Sequence, residues 1–420
     1  MISAAVQLAA MALFVSGVVS FGLLLKGCFV LRRQARRNAA DTVTLLLKSP
    51  QAPSLSVVAV ASEFSPENCE LVRRLIDLHY SNHEVVLVLD DPSAQDFERW
   101  VAEFHLAVTA WGTWKPPHPV RLCVVKTESA GTAAAYGAGV AAAGGSLIAF
   151  FDAAGEFGPE ALLRLLPPML QDPERTTAVC AVAPVLEAGS FMQRFSAIES
   201  MRVWLVRYAA FAGWNMLVPV PGSCMLIRRD AIQRAGGFPP SKGRHPDCAA
   251  HMELILALHA KARAGGPPFR MALVTDPISH IPAPQSASQL RHILDRDQCA
   301  LRAAILHRKS LGAIGWGLPA LLWDRLGRPL LETALYVATA AGLAMGLLSL
   351  QVLWLVLLCT VATGMLVSMA AVVLRELAEF HGGEPGLLLS LFFAAIPESL
   401  GYRQLRNLWL IESFLKKQTR

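Results

Sequence analysis

Two carboxylates follow one another at the end of an apolar run, Val85-Val86-Leu87-Val88-Leu89-Asp90-Asp91-Pro92-Ser93. Acids at a strand exit accept hydrogen bonds from a base or a ribose lying across a sheet edge, although Asp with Pro is also an ordinary turn signal. A third acid, Asp152, follows Leu147-Ile148-Ala149-Phe150-Phe151 and opens onto Ala153-Ala154-Gly155-Glu156. A carboxylate at a strand terminus beside a Gly-containing turn suits a divalent ion carrying a diphosphate, chemistry for which one carboxylate rarely suffices.

Strands and helices must alternate to bring these acids together. Leu55 to Ala61 is a β-branched apolar run, Cys69 to Leu78 has helical period, and Glu84 to Leu89 reads as a second strand. Arg121 to Val125 and Ser146 to Phe151 follow as strands after helical connections. Strands separated by helices predict a mostly parallel α/β sheet covered on both faces. Ligands of such sheets bind beyond the carboxyl ends of the strands, where Asp90, Asp91 and Asp152 fall. The eight cysteines contain no Cys-x-x-Cys pair and read as small apolar core residues. Trp111 and Trp114, with Pro116-Pro117-His118-Pro119, lie in a loop that covers a sheet edge or docks another protein.

Composition sets the surroundings. Of 420 residues 54% are hydrophobic and 17% charged, against about 25% charged in ordinary soluble domains. That excess of apolar surface indicates a membrane protein and excludes a disordered chain, and a net charge of +6 does not call for nucleic acid. Met1 to Leu25 carries no charge and as a helix reaches about 37 Å, enough for a hydrocarbon core of about 30 Å. The cations Lys26, Arg32, Arg33, Arg36 and Arg37 follow this run rather than precede it, unlike a cleavable signal peptide, and place the next segment in the cytoplasm. A second uncharged block, Thr333 to Leu374, predicts a helical hairpin reversing near Ser349 to Gln351. The shorter block Pro385 to Pro397 suits a re-entrant or interfacial segment, and Tyr402 to Arg420 a basic amphipathic helix in the headgroup region. If the short block spans, the tail lies outside. The organisation expected is a membrane helix over 1–31, a basic linker over 32–53, a cytoplasmic body over 54–310, an interfacial helix over 311–330, a membrane hairpin over 331–374 and a final membrane segment with its tail over 385–420.

The order of landmarks resembles the family 2 glycosyltransferases, in particular the membrane-embedded branch of cellulose, poly-N-acetylglucosamine and hyaluronan synthases. The residues that carry the resemblance are Gly131 to Asp152, then Phe195 to Phe238 with Ile198-Glu199-Ser200-Met201-Arg202, Pro221-Gly222-Ser223-Cys224 and Gly236-Gly237-Phe238. His251-Met252-Glu253-Leu254, Thr275-Asp276-Pro277 and Ala283-Pro284 complete the series. The resemblance implies a nucleotide-sugar-binding domain of GT-A type between N-terminal and C-terminal transmembrane helices. It also implies inverting transfer from a nucleotide-diphosphate sugar, a UDP-sugar above all, with Mg²⁺ or Mn²⁺ on the diphosphate and a carboxylate base.

The departures from the family pattern bear directly on that chemistry. Where the family has Asp-x-Asp this chain has Asp152-Ala153-Ala154, leaving Glu156 as the nearest second candidate metal ligand. Where the family carries Glu-Asp before Met-Glu-Leu, this chain has Ala250-His251, so His251 and the upstream Asp247 are the candidates for the base. A surface histidine at a helix start is the simpler reading of His251. The Gln-x-x-Arg-Trp motif maps onto Ile293 to Asp297, where Arg296 survives to clamp a phosphate with Gln298 close behind, while the indole is lost. The loop Gly131-Thr132 also lacks the family's Lys. Positioned acid–base catalysis contributes about 10² to 10⁴ in rate. A scaffold kept while its acids are shed therefore reads as a protein of a surface-polysaccharide system with reduced or lost sugar transfer, partnering membrane lipid and an intact glycosyltransferase or export subunit. The alternatives are a working transferase with rebuilt chemistry and a nucleotide-sugar sensor gripping its ligand through Asp90 and Asp91. In each case the location expected is the inner (plasma) membrane of a bacterium, multi-pass, with the body facing the cytoplasm.

Overall fold

Side chains alternate across a strand, so a strand apolar at every position needs cover on both sides. In β5 (Leu147–Phe151) every residue is buried, and in β1 (Leu55–Ala61) and β2 (His83–Asp90) all but Val60 and Glu84 are. Val58, Val86, Val88, Ile148 and Phe150 enter one core, and Val57, Ala59, Val85, Leu87, Leu89, Ala149 and Phe151 enter another on the opposite face. The computed structural model behind this description covers residues 2–35, 52–61, 63–105, 113–114, 120–128, 131–151, 155–181, 185, 189–218, 224–239, 247–274, 279–280, 282–306, 314–379 and 385–415. Asp152 to Ala154, Pro221 to Ser223, Thr275 to Pro277, Trp111, Pro116 to Pro119, most of the basic linker and Lys416-Lys417 lie outside the described residues.

The body interleaves these strands with α2 (Pro66–Ile76), α3 (Ala94–Glu103), β3 (Thr113–Trp114), β4 (Arg121–Thr127) and α4 (Thr132–Ala142). Beyond β5 come β6 (Glu156–Phe157), α5 (Ala161–Leu165), α6 (Pro167–Gln171), β7 (Ala178–Ala181), α7 (Phe191–Val203), β8 (Cys224–Arg228) and α8 (Arg229–Ala235). Next are α9 (Asp247–Arg263), β9 (Met271–Val274), β10 (Ser279–His280) and α10 (Ala287–Leu306). One eight-stranded sheet has the order β3-β4-β2-β1-β5-β8-β7-β9, with β6 and β10 forming a separate ribbon. Strands β4, β2, β1 and β5 are mutually parallel, whereas β8 runs against both of its neighbours. The α/β expectation holds, and the sheet is mixed, with antiparallel pairings at β8 and at the β3 edge.

Preceding and following this body are α1 (Ile2–Ala35), α11 (Gly317–Leu322), α12 (Arg328–Ala344), α13 (Leu350–Leu357), α14 (Thr363–Glu379), α15 (Pro385–Pro397) and α16 (Arg403–Leu415). Residues 2–33 and 350–378 form helices long and apolar enough to cross a membrane. Leu8, Val15, Phe29, Val337, Trp354 and Leu366 stand exposed on this bundle, an apolar surface of the kind that meets lipid or a partner. The chain reverses at residues 345–349, ahead of the expected position. Gly346 at φ 69° ends α12, and the Leu347 and Gly346 amides donate to the Gly342 and Leu343 carbonyls, the 6→1 and 5→2 pattern that closes a helix at glycine. The block ending at Pro397 runs on into α16 through a wide π-type turn over Glu398–Tyr402. Expected to lie in the headgroup region, the tail helix α16 also packs on the body: Tyr402 and Leu410 join Leu290 and Leu294 of α10, and Arg291 pairs with Glu412 at 2.7 Å.

Body and bundle share one core. Leu24, Cys28 and Leu31 of α1, with Val367 and Ala371 of α14, join the same apolar cluster as Val86 and Phe150 of the sheet. Where α1 crosses the π-type turn Trp204–Ala210, a Cβ on Gly27 would run into the Leu205 carbonyl, while one on Gly22 would meet nothing within 4 Å. Gly27→Ala should therefore lower stability by about 1–3 kcal/mol, and Gly22→Ala should not. Thermal unfolding of the full chain in detergent, followed by tryptophan fluorescence, reads the difference.

Candidate functional site

The carboxyl rim of the parallel strands holds the first acidic pair. Register places Asp90 opposite Thr127 at the end of β4. Asp90 is 3% exposed, and its Oδ1 accepts the Thr127 hydroxyl at 3.1 Å. One residue on, the Asp91 amide donates to the Thr127 carbonyl at 2.9 Å while its backbone sits at φ 53°, a left-handed conformation that a non-glycine residue seldom adopts and that clusters at functional sites. Ser93 then starts α3, its hydroxyl accepting the Asp96 amide at 3.0 Å. Pinned between a ladder on one side and a helix cap on the other, the elbow presents the exposed Asp91 at the rim.

The remaining residues singled out from the sequence separate into different environments. Phe151 ends β5 at the same rim, and Asp152, the next residue, lies outside the described set. Glu156 is exposed and sits in β6, paired opposite His280 of β10. Among the described residues no three His, Cys, Asp or Glu side chains converge to hold a metal ion. Asp247 is the first residue of α9, its side chain outside the described set.

His251 is not the surface residue that a helix start suggests. It is 2% exposed, with ring centroids 4.8 Å from Tyr136, 4.9 Å from Phe150 and 6.4 Å from Phe238. Its neighbours in sequence, Ala249, Ala250 and Met252, are buried too, and this apolar surround was the local signal for burial. Glu253, two residues on, is likewise buried.

On α10, Arg296 is half-buried. Gln298 is 1% exposed, and its Nε2 donates to the Arg325 carbonyl at 3.1 Å. It braces a π-type turn over Trp323–Gly327 instead of facing the strand rim. Asp297, standing where the family has its tryptophan, meets Arg325 Nη2 at 2.7 Å and Arg207 Nη1 at 3.7 Å.

Those contacts belong to a buried charged cluster that the sequence reading missed. Glu199 Oε1 of α7 meets Arg406 at 2.5 Å and Arg325 at 3.7 Å. Arg202 pairs with Glu398 at 3.1 Å and donates to the Ser368 hydroxyl at 2.7 Å, and that hydroxyl donates to Glu398 at 2.9 Å. Glu332 accepts from Asn407 Nδ2 at 3.2 Å and lies 3.8 Å from Arg403 Nε. Three π-type turns, 204–210, 323–327 and 398–402, deliver Arg207, Arg325 and Glu398 to it, a distortion often found where function needs a side chain re-aimed. Burial alone would raise the Glu199 carboxyl, but Arg406, Arg325 and Arg202 outweigh it and hold it below its usual range. Burial likewise works against the charge of Arg325, and Asp297, Glu199 and Asp324 reverse that effect.

Residues 65–236 match the family model described as Glycosyl transferase family 2. Among solved structures, the mannosyltransferase PcManGT from Pyrobaculum calidifontis, in complex with GDP-Man and Mn²⁺, is similar over 96% of this chain and 99% of its own, at 19% identity and a TM-score of 0.51. S. aureus TarS 1–349 in complex with UDP-GlcNAc aligns over 84% of this chain and 92% of its own, at 12% identity and a TM-score of 0.38. M. tuberculosis glucosyl-3-phosphoglycerate synthase aligns over 62% and 84%, at 16% identity and a TM-score of 0.35. No curated protein matches the chain in sequence. The mixed sheet with its acidic strand ends is thus a GT-A α/β fold, and residues 65–236 of it carry the pattern of a family 2 glycosyltransferase.

Proposed function

We propose that this chain is a membrane-embedded, glycosyltransferase-like protein that keeps a nucleotide-sugar site and has reduced or lost sugar transfer. The observation that carries the reading is a contrast within one fold. The Asp90-Asp91 elbow is held open at the strand rim, whereas His251, at the position of the family's base, is enclosed by Tyr136, Phe150 and Phe238. A donor can meet the first, and an acceptor hydroxyl needs room that the second lacks. The replacement of acids by Ala154 and Ala250 points the same way. That a protein of this fold was solved with GDP-Man and Mn²⁺ supports a nucleotide-diphosphate sugar as the ligand class and a divalent ion as its companion.

Membrane residence is supported by the two long apolar helices and by the charge-free run before Lys26. With the basic end of α1 in the cytoplasm, the sheet lies on that side of the inner membrane. A catalytically weak scaffold so placed serves a surface-polysaccharide system as the partner of an active glycosyltransferase or an export subunit.

The test uses the full chain in detergent or nanodiscs with a panel of UDP- and GDP-sugars and Mg²⁺ or Mn²⁺. Calorimetry should find a saturable nucleotide-sugar ligand, and donor consumption should stay far below the common enzyme range of about 1–10³ s⁻¹. Turnover in that range, or no binding by any donor, would overturn the reading.

A further inference from the structure

A cavity of about 60 Å³ lies away from the strand rim, enclosed by α1, α7 with its π-type turn, α12, α14 and α16. Ser20 lines it six residues before Lys26, which places it near the cytoplasmic boundary of the first apolar run. Its lining holds five arginines, Arg202, Arg207, Arg328, Arg403 and Arg406, against three carboxylates. With Arg325, Asp297 and Glu398 counted behind them, guanidiniums still outnumber carboxylates, six to five.

The excess is visible atom by atom. Arg207, 7% exposed, has its Nη1 3.7 Å from Asp297 and in no hydrogen bond. The Nη1 of Arg403, 5% exposed, and the Nε atoms of Arg328 and Arg406 also lack an acceptor. A guanidinium only donates, and every buried donor left without an acceptor is costly. Burial and the adjacent Arg403 pull the Arg328 guanidinium down to about 9, as expected of a cation short of anions.

We infer that this cavity is a phosphate-binding site, taking the tetrahedral head of a phosphate monoester or of free inorganic phosphate. A small oxyanion with two negative charges supplies both what the lining lacks in charge and the acceptors its arginines lack, in the forked geometry that guanidinium favours. The position at the inner boundary of the bundle suits a lipid headgroup, and the same chemistry admits the free ion.

Arg328 is the residue to change, because among the described residues it forms no hydrogen bond or close ion pair whose loss would strand a carboxylate. Full-length protein in micelles is titrated with inorganic phosphate or with dihexanoyl phosphatidic acid, each against sodium chloride of equal ionic strength, and the melting temperature is followed. At least one phosphate ligand should raise it saturably above the chloride control, and Arg328→Gln should weaken that ligand at least tenfold without lowering the melting temperature of the ligand-free protein. Tenfold tighter binding of the phosphatidic acid assigns the site to a lipid headgroup, and tighter or equal binding of inorganic phosphate assigns it to the free ion. The inference fails if neither ligand exceeds chloride, or if Arg328→Gln binds as the wild type does.

Discussion

Glu199→Gln should cost about 3–5 kcal/mol of stability, the loss typical when one partner of a buried ion pair is removed. Neutralising Glu199 leaves Arg406, Arg325 and Arg202 facing one another in a space from which water is largely excluded. The penalty is therefore desolvated like charge, more than a lost contact. Thermal or denaturant unfolding in micelles measures it, and a double-mutant cycle isolates it. Arg406→Gln alone strands Glu199 with fewer cations, whereas Glu199→Gln with Arg406→Gln removes one charge of each sign and should recover at least half of the sum of the single losses. The carboxyl titrates below its ordinary 4.5 in the folded chain. Its stabilisation is thus complete above about pH 4.5 and is lost as pH falls through the lowered folded value. Glu199→Gln should lack that part of the acid limb. A variant as stable as the wild type would mean that the cluster is solvated and that the charge crowding argued for the phosphate site is wrong.

The parallel half of the sheet was legible because its signal is local. Runs such as Ser56 to Ala61 and Val85 to Leu89 are apolar at nearly every position, and only strands covered on both faces tolerate that composition. β7 and β9 are four residues each and β3 is two, too short for periodicity to register. The acids at the rim were equally readable, since Asp90 and Asp91 end a strand in the chain itself. The charged cluster was not. Glu199, Asp297, Arg325 and Arg406 are far apart in sequence, and each has only local charged neighbours in the chain until α7, α10, α16 and the turn Trp323–Gly327 are packed together. The tail from Tyr402 was readable as a basic amphipathic helix, but the partners of Arg403 and Arg406 could not be named without the fold. His251 shows the reverse case: a titratable residue at a helix start suggested an open position, while the apolar residues flanking it already argued for the interior.

Asp91→Gly should separate ligand binding from folding, because the strain and the charge at this position belong to different parts of the residue. The backbone at φ 53° is one that glycine adopts without steric cost. Removing the side chain therefore relieves the left-handed penalty while adding freedom to the unfolded chain, and the two nearly offset. Stability should stay within about 1 kcal/mol of wild type, since the Asp91 amide bond to Thr127 is a backbone contact that survives. Nucleotide-sugar affinity should nevertheless fall about 10- to 100-fold, the worth of one hydrogen bond to an ionised acceptor. Asp90→Asn complements it. An amide oxygen still accepts the Thr127 hydroxyl, so that variant should also fold, and any loss of affinity reports the carboxylate's charge together with the acceptor oxygen that becomes an NH2 donor. Were Asp91→Gly to bind donors as tightly as the wild type, the elbow would be only a strained turn, and the nucleotide site would have to be sought elsewhere on the rim. A loss of affinity with the melting temperature unchanged would instead show that the left-handed backbone is kept for the carboxylate it presents, at the expense of the more relaxed glycine turn.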